Sequence, residues 1–314
     1  MAARPGVLLT QPCVDSMLPS LEKSFTVFKL WEASDQDAFV SASAHSIRGL
    51  VGNTVVGASG PLIDALPRLE IVSSFSVGLD KIDLPKCRQR GIAVTYTPDV
   101  LTDCTADTAL SLMLACMRRI PAADRFVRQG RWPAEKNFVH TTKVSGKRVG
   151  IVGLGRIGMA IAKRAEAFGC EIAYQGRSPK PNLTFNYYST AKELATNSDV
   201  VVIACPLNEE TKGSINREVI DALGPSGFLI NIARGPIVDE QELVKALVEG
   251  RLGGAGLDVF DDEPHVPQEL MSLDNVVLTP HVGSLTWETR RAMADLVVAN
   301  LEAYFSGKPL LTPV

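Results

Sequence analysis

The run Val149-Gly150-Ile151-Val152 passes directly into Gly153-Leu154-Gly155-Arg156-Ile157-Gly158 and then into an amphipathic stretch over residues 159–168. An apolar strand, a turn carrying three glycines and a helix, in that order, leave few folds open. Gly153 permits the tight turn, Gly155 lets backbone N–H groups approach a pyrophosphate, and Gly158 lets the helix close on the strand. The helix N-terminus then stabilises the anion. A glycine-rich βα turn can serve packing alone, but strand, motif and helix together favour a dinucleotide site.

The rest of the chain repeats this alternation of short apolar runs and amphipathic stretches, the signature of βα units around parallel sheets. Residues 7–9, 25–27, 49–51, 71–74 and 92–94 read as strands, with helical stretches such as 62–66 and 84–90 between them. Thr97-Pro98-Asp99 breaks the pattern before residues 101–119, a run rich in Ala, Leu and Met that reads as a buried helix. A second series then reads as six strands, at 149–152, 171–174, 200–204, 228–232, 254–259 and 276–278, enough for a complete dinucleotide-binding sheet. Residues 287–305, helical by the spacing of Leu296, Val297, Leu301 and Tyr304, lie beyond that sheet and are expected to pack back on the first region. The expected fold is therefore α/β, with two Rossmann-like domains built on parallel sheets. A doubly wound cofactor domain, residues 101–284, is inserted into a discontinuous flavodoxin-like substrate domain, residues 1–100 plus 285–314, with substrate in the cleft framed by the two crossings.

Lys and Arg number 32 against 35 Asp and Glu, so the net charge of −3 offers no broad attraction for nucleic acid or an anionic membrane. Any anion site must be local. The six cysteines are scattered, with no CxxC and no Cys/His ligand spacing, which fits reduced thiols in the cytoplasm and no metal site. The residues ahead of Gly6 are too few for a signal or transit peptide, and no apolar run approaches the roughly 18 residues a membrane span needs.

An acid at the end of the second strand of a dinucleotide fold binds the ribose 2′-OH of NAD, but here that strand ends Tyr174-Gln175-Gly176-Arg177-Ser178-Pro179-Lys180. The acid is missing. Arg177 can fork onto a 2′-phosphate, Ser178 can donate a hydroxyl and Lys180 adds a charge, so NADP, with NADPH preferred over NADH, is the expected cofactor. A solvated basic turn is the bland alternative.

Three polar residues recur just after strands of the second series: Arg234 in Asn231-Ile232-Ala233-Arg234-Gly235, Glu263 in Asp258-Val259-Phe260-Asp261-Asp262-Glu263-Pro264, and His281 in Thr279-Pro280-His281-Val282-Gly283-Ser284. Ligands of open α/β sheets bind at those carboxyl ends. Reducing a 2-oxo acid needs a cation for the carboxylate and carbonyl, a proton donor for the forming alkoxide, and a partner that keeps the donor protonated. Arg, His and Glu supply these in turn. Taken singly, each has a bland reading as a surface pair, a stray acid or a structural histidine. Of the other histidines, His45 and His140 have no site context, and His265 shares the segment of Glu263 and ranks as a lesser partner.

These segments, together with Val51-Gly52-Asn53, Ser74-Phe75-Ser76-Val77-Gly78-Leu79-Asp80 and the terminal Gly307-Lys308-Pro309-Leu310-Leu311-Thr312-Pro313-Val314, resemble the D-isomer-specific 2-hydroxyacid dehydrogenase family along the whole chain. Within that family the likeness is to plant reductases of 4-hydroxyphenylpyruvate, hydroxypyruvate and glyoxylate. The resemblance implies Arg234 as substrate anchor, His281 as acid/base, Glu263 as its partner, and the Val77 and Gly78 amides as a grip on the substrate carboxylate. It implies Asp258 as a contact to the nicotinamide carboxamide. The expected cofactor set is Gly153, Leu154, Gly155, Arg156, Ile157, Gly158, Arg177, Ser178, Lys180, Pro206, Ile232, Ala233, Arg234, Asp258, His281 and Gly283. Ala233 departs from the Gly that relatives often carry there, which bears on fine positioning. The same fold also serves non-catalytic, nucleotide-sensing corepressors, the alternative class, although all three catalytic residues are retained.

The helix over 101–119 is apolar on nearly all faces, and one sheet is not expected to cover it. A homodimer is therefore expected, as the resemblance also implies, with the arm Arg131-Trp132-Pro133 to Phe138 crossing toward the partner.

Overall fold

The protein is described from a computed structural model that covers residues 4–12, 14 and 16–314. The reading of the first three residues and of Cys13 falls outside the described residues. The chain divides into two compact units, Met1–Leu101 with Thr286–Val314, and Thr102–Leu285, each crossing lying one residue later than the sequence suggests.

The first unit carries β1 (Gly6–Leu9), α1 (Met17–Ser24), β2 (Thr26–Lys29), α2 (Gln36–Ser43), β3 (Ile47–Gly52), α3 (Gly60–Ala65), β4 (Ile71–Ser74), α4 (Leu84–Gln89) and β5 (Ala93–Thr95). Its five strands are parallel in the order β2-β1-β3-β4-β5, the flavodoxin-like winding. The short helices start where side chains can cap them. Asp35 accepts the Ala38 N–H, Ser59 the Leu62 N–H and Asp83 the Lys86 N–H, and α3 and α4 each carry a proline in the first turn.

The second unit comprises α5 (Thr102–Met117), α6 (Ile120–Arg128), α7 (Trp132–Glu135), β6 (Arg148–Val152), α8 (Arg156–Glu166), β7 (Glu171–Gln175), β8 (Asn186–Tyr188), α9 (Ala191–Thr196), β9 (Val200–Ile203), α10 (Arg217–Leu223), β10 (Phe228–Asn231), α11 (Glu240–Val248), β11 (Gly254–Leu257), α12 (Gln268–Met271) and β12 (Val276–Leu278). Its parallel sheet runs β12-β11-β10-β9-β6-β7-β8. Seven strands replace the six expected. The addition is the edge strand β8, whose Asn-Tyr-Tyr has no apolar run to announce it. The central strands are buried on both faces, as the unbroken Val-Val-Val-Ile of β9 requires. Each such side chain contributes about 1.5–3 kcal/mol by leaving water.

The long helix α5 corrects the expectation that something outside the fold must bury it. Ala106, Ala109, Leu112, Met113, Cys116 and Met117 are buried in one cluster with Val149, Ile151, Ile161, Ala165, Phe228 and Ile230 of the same unit. Gly256 makes the close approach possible, because a Cβ there would stand 2.9 Å from Cβ of Leu112. The solvent face is polar, with Asp103 and Asp107 both paired to Arg164 on α8.

The final helix, α13 (Trp287–Phe305), belongs to the first unit. Ala294, Val297 and Leu301 pack with Val7, Leu9, Met17, Leu21 and Ile71. The fully buried Asn300 ties down the tail by accepting the N–H groups of Leu311 and Thr312 and donating to Thr312 Oγ1. Among the described residues no helix is long and apolar enough to cross a membrane.

Candidate active site

Register places the ends of the second unit's strands on one line. Gln175 pairs with Val152, Val152 with Ile203, Ile203 with Asn231, Asn231 with Leu257, and Leu257 with Leu278. The segments carrying Gly153 to Gly158, Arg177, Pro206, Arg234, Asp258 and His281 therefore all leave the sheet at its carboxyl edge. This edge is where open α/β sheets bind ligands.

The turn after β6 has the shape the glycines promise. Gly153 sits at φ 93°, and a Cβ there would lie 2.6 Å from the Cys205 backbone. A Cβ on Gly158 would stand 2.2 Å from the Gly153 carbonyl oxygen. At Gly155, which caps α8, a Cβ would meet nothing within 4 Å, and the same holds at Gly176 after β7. Open space above the helix N-terminus fits a dinucleotide pyrophosphate, and Arg177, Ser178 and Lys180 are exposed beyond Gly176.

Arg234, Glu263 and His281 converge on the other side of the same edge. His281 Nδ1 lies 2.8 Å from Glu263 Oε2, so the ring carries a proton on Nδ1 and keeps Nε2 for chemistry. Burial alone would raise the Glu263 carboxyl. The hydrogen bond and charge of His281, the Phe260 N–H and the charge of Arg234 outweigh it and hold the group below the usual carboxylate range. The Arg234 guanidinium donates to Ala233 O at 2.7 Å, and its own carbonyl accepts from Asn231 Nδ2 at 2.9 Å.

His281 stands at φ 54°, the left-handed region, which costs a residue with a side chain about 1–3 kcal/mol unless the surroundings impose it. Asp258 imposes it. Only 1% exposed, it accepts the Thr279 hydroxyl at 2.6 Å and the N–H groups of Val282 and Gly283, each at 2.8 Å. A carboxylate accepts about four hydrogen bonds, so three of this one's places are spent on the histidine loop. Asn231 does similar work below Arg234, accepting the Ala233 N–H as well. Asn231 and Thr279 were absent from the expected set. Their only sequence signal is a polar residue at or just beyond the end of an apolar strand.

Against proteins of known family, residues 110–283 match the D-isomer specific 2-hydroxyacid dehydrogenase, NAD binding domain. A hydroxyphenylpyruvate reductase of Plectranthus scutellarioides is 62% identical over 309 residues, 98% of each chain. The chain belongs to the D-isomer specific 2-hydroxyacid dehydrogenase family. It is accordingly a 2-hydroxyacid dehydrogenase enzyme. A glyoxylate/hydroxypyruvate reductase of Arabidopsis thaliana is 60% identical over 98% of each chain. Among solved structures, an NADPH-dependent glyoxylate/hydroxypyruvate reductase of Sinorhizobium meliloti, in complex with NADP and malonate, matches with a TM-score of 0.94 at 45% identity, covering 99% of this chain and 97% of that one.

The remaining residues of this dehydrogenase fall as follows. Leu154, Arg156 and Ile157 belong to the glycine turn and the first turn of α8, Pro206 follows β9, and Ile232 and Ala233 are buried after β10. A Cβ on Gly283 would meet Asp258 Oδ2 at 3.0 Å. His265 pairs with Asp262 at 3.3 Å and not with Glu263. Val77 and Gly78 lie in the first unit after β4, where Ser76 Oγ donates to the Gly78 carbonyl. Burial pushes the Cys205 thiol, which packs behind the glycine turn, up to about 11, too high for a thiolate nucleophile near neutral pH.

Proposed function

We propose that this dehydrogenase reduces a 2-oxo acid, namely 4-hydroxyphenylpyruvate, hydroxypyruvate or glyoxylate, to the D-2-hydroxy acid, with NADPH preferred over NADH. The observation that carries this reading is the His281–Glu263 hydrogen bond of 2.8 Å, made on a backbone held in the left-handed region and within electrostatic reach of Arg234. NADPH, when bound, supplies the hydride to C2 of the 2-oxo acid. Arg234 holds the substrate carboxylate and draws electron density toward the carbonyl oxygen. As C2 accepts the hydride, the oxygen takes a proton from Nε2 of His281, leaving a hydroxyl and a neutral imidazole whose remaining proton stays on Nδ1, hydrogen-bonded to the Glu263 carboxylate. The ionised Glu263 faces the ring that starts each reduction across the Nδ1 hydrogen bond.

Arg177, Ser178 and Lys180 supply a 2′-phosphate with a fork, a hydroxyl and a point charge, in a turn with no acid to repel it. We place the enzyme in the cytoplasm, consistent with Cys87, Cys116, Cys170 and Cys205 carrying free thiols. We also read it as a homodimer. The reason is not α5 but the exposed Ile120, Val127, Trp132 and Val139 on α6, α7 and the segment after them.

Steady-state kinetics with the three 2-oxo acids, each with NADPH and NADH, test the reading. Turnover of at least one acid, faster with NADPH, supports it. Nucleotide binding without turnover of any points instead to a nucleotide-sensing protein.

A further inference from the structure

We propose that Tyr174 and Tyr187 form a two-point clamp on the loop of residues 176–180 and thereby set how strongly the enzyme distinguishes a 2′-phosphorylated nucleotide from a plain one. The proposal rests on the NADPH reading above. Tyr174 lies near the end of β7 and Tyr187 in β8, and the two are register partners in adjacent parallel strands, so both side chains leave the same face of the sheet. Their rings pack with centroids 5.5 Å apart at 57°.

The hydroxyls grip opposite ends of the loop. Tyr174, 2% exposed, accepts the backbone N–H of Lys180 at 2.6 Å. Tyr187 donates its hydroxyl proton to the Gly176 carbonyl oxygen at 3.1 Å. Phenylalanine would fill either place as well by shape, but the buried Tyr174 phenol oxygen needs a partner and the half-buried Tyr187 hydroxyl finds one, both of them backbone atoms of one loop. Between the two grips stand Arg177, Ser178 and Pro179, and the proline narrows the loop further by fixing its own φ.

The effect on recognition follows from entropy. Among the described residues, the side chains of Arg177, Ser178 and Lys180 have no hydrogen-bond or ion-pair partner within the protein. Ordering long exposed side chains on a mobile loop consumes much of what a phosphate contact gains, and a loop held at both ends in advance loses less. A nucleotide without the 2′-phosphate gives Arg177, Ser178 and Lys180 no phosphate to contact, so it gains less from a loop held in advance. It is a positioning device for specificity, and it depends on the edge strand that brings Tyr187 beside Tyr174.

Titration calorimetry with NADP⁺ and NAD⁺, and with 2′,5′-ADP and 5′-AMP, tests this on the full chain carrying Tyr187→Phe, Tyr174→Phe or Arg177→Ala. Loss of one net hydrogen bond is expected to weaken binding of the 2′-phosphorylated ligands by about three- to tenfold. Binding of NAD⁺ and 5′-AMP should stay within about twofold, the magnitude left by a change too small to matter. Should Tyr174→Phe fail to fold, Tyr187→Phe on the edge strand carries the test alone. Equal weakening of both ligand classes means a general structural role and overturns the clamp. So does an intact NADP⁺ to NAD⁺ ratio in the tyrosine variants when Arg177→Ala abolishes it, which leaves the NADPH reading standing. A wild-type NADP⁺ to NAD⁺ ratio near one overturns that reading and the clamp together, and an intact ratio in Arg177→Ala removes Arg177 from the site.

Discussion

The backbone N–H of His281 donates across 2.9 Å to the carbonyl oxygen of Asp258, while the carboxylate of the same aspartate takes the N–H groups of the next two residues, Val282 and Gly283. His281 is therefore held through its main chain by one buried acid. Asp258→Ala leaves three donors without acceptors, of which the Gly283 N–H is buried. Urea unfolding should show a loss of about 1–3 kcal/mol for that buried donor. Turnover should fall by about a hundredfold or more as the histidine leaves its left-handed conformation. A variant that keeps its turnover refutes the positioning role.

His281→Ala removes the proposed proton donor and leaves the nucleotide turn untouched. Turnover is expected to drop by about a hundredfold or more. NADPH affinity, read by quenching of tryptophan fluorescence, should stay near wild type, and normal turnover in this variant would sink the mechanism.

Glu263→Gln keeps the shape of the pair and removes its charge. Turnover should fall, because the ring that gives up the proton loses the carboxylate hydrogen-bonded to its Nδ1. Stability follows a separate sign. The Glu263 carboxyl titrates below its ordinary value, so its contribution is complete above an unfolded pKa of about 4.3 and disappears as pH falls through the lower folded value. The wild type should exceed Glu263→Gln in stability at neutral pH, with the gap closing in acid. A gap that persists unchanged to low pH contradicts the pairing.

Arg177→Ala should cost about 1.5–3 kcal/mol toward NADPH, the worth of a hydrogen bond from a charged group. This is roughly ten- to a hundredfold in kcat/KM for NADPH, with NADH little changed. An unaltered cofactor ratio removes Arg177 from the site.

Light scattering should give a mass near twice the 33.8 kDa of one chain. Trp132, 59% exposed on α7, is the side chain best placed to anchor such an interface, and Trp132→Glu should shift the mass toward one chain. A wild-type mass of one chain at micromolar concentration refutes the dimer.

Much of this architecture is legible in the sequence because parallel strands buried on both faces must be apolar throughout, as in β9, while the chemistry sits in polar residues just after them. Arg234, Glu263 and His281 stand out by that position alone. What stayed hidden depended on partners distant in the chain. Asn186-Tyr187-Tyr188 has no period, and its strand character comes from pairing along β7. The apolar surface of α5 has the same pattern whether a second subunit or the sheet and α8 cover it, and the clue lay elsewhere, in the small residues of β11. The hold of Asp258 on its loop spans more than twenty residues, beyond any local pattern.

The line of paired residues from Gln175 through Val152, Ile203, Asn231 and Leu257 to Leu278 works as a ruler. Each functional segment is mounted on it separately and takes its height from its own strand. Segments between these mounts are free to change length or composition and so retune which acid is accepted, with the reacting groups left level. Deleting one residue inside β10 has the opposite result, since it draws Arg234 back by about 3.3 Å and turns every side chain beyond the gap to the other face. Diversification of such a chain is thus channelled into its loops, while strand lengths stay under strict control.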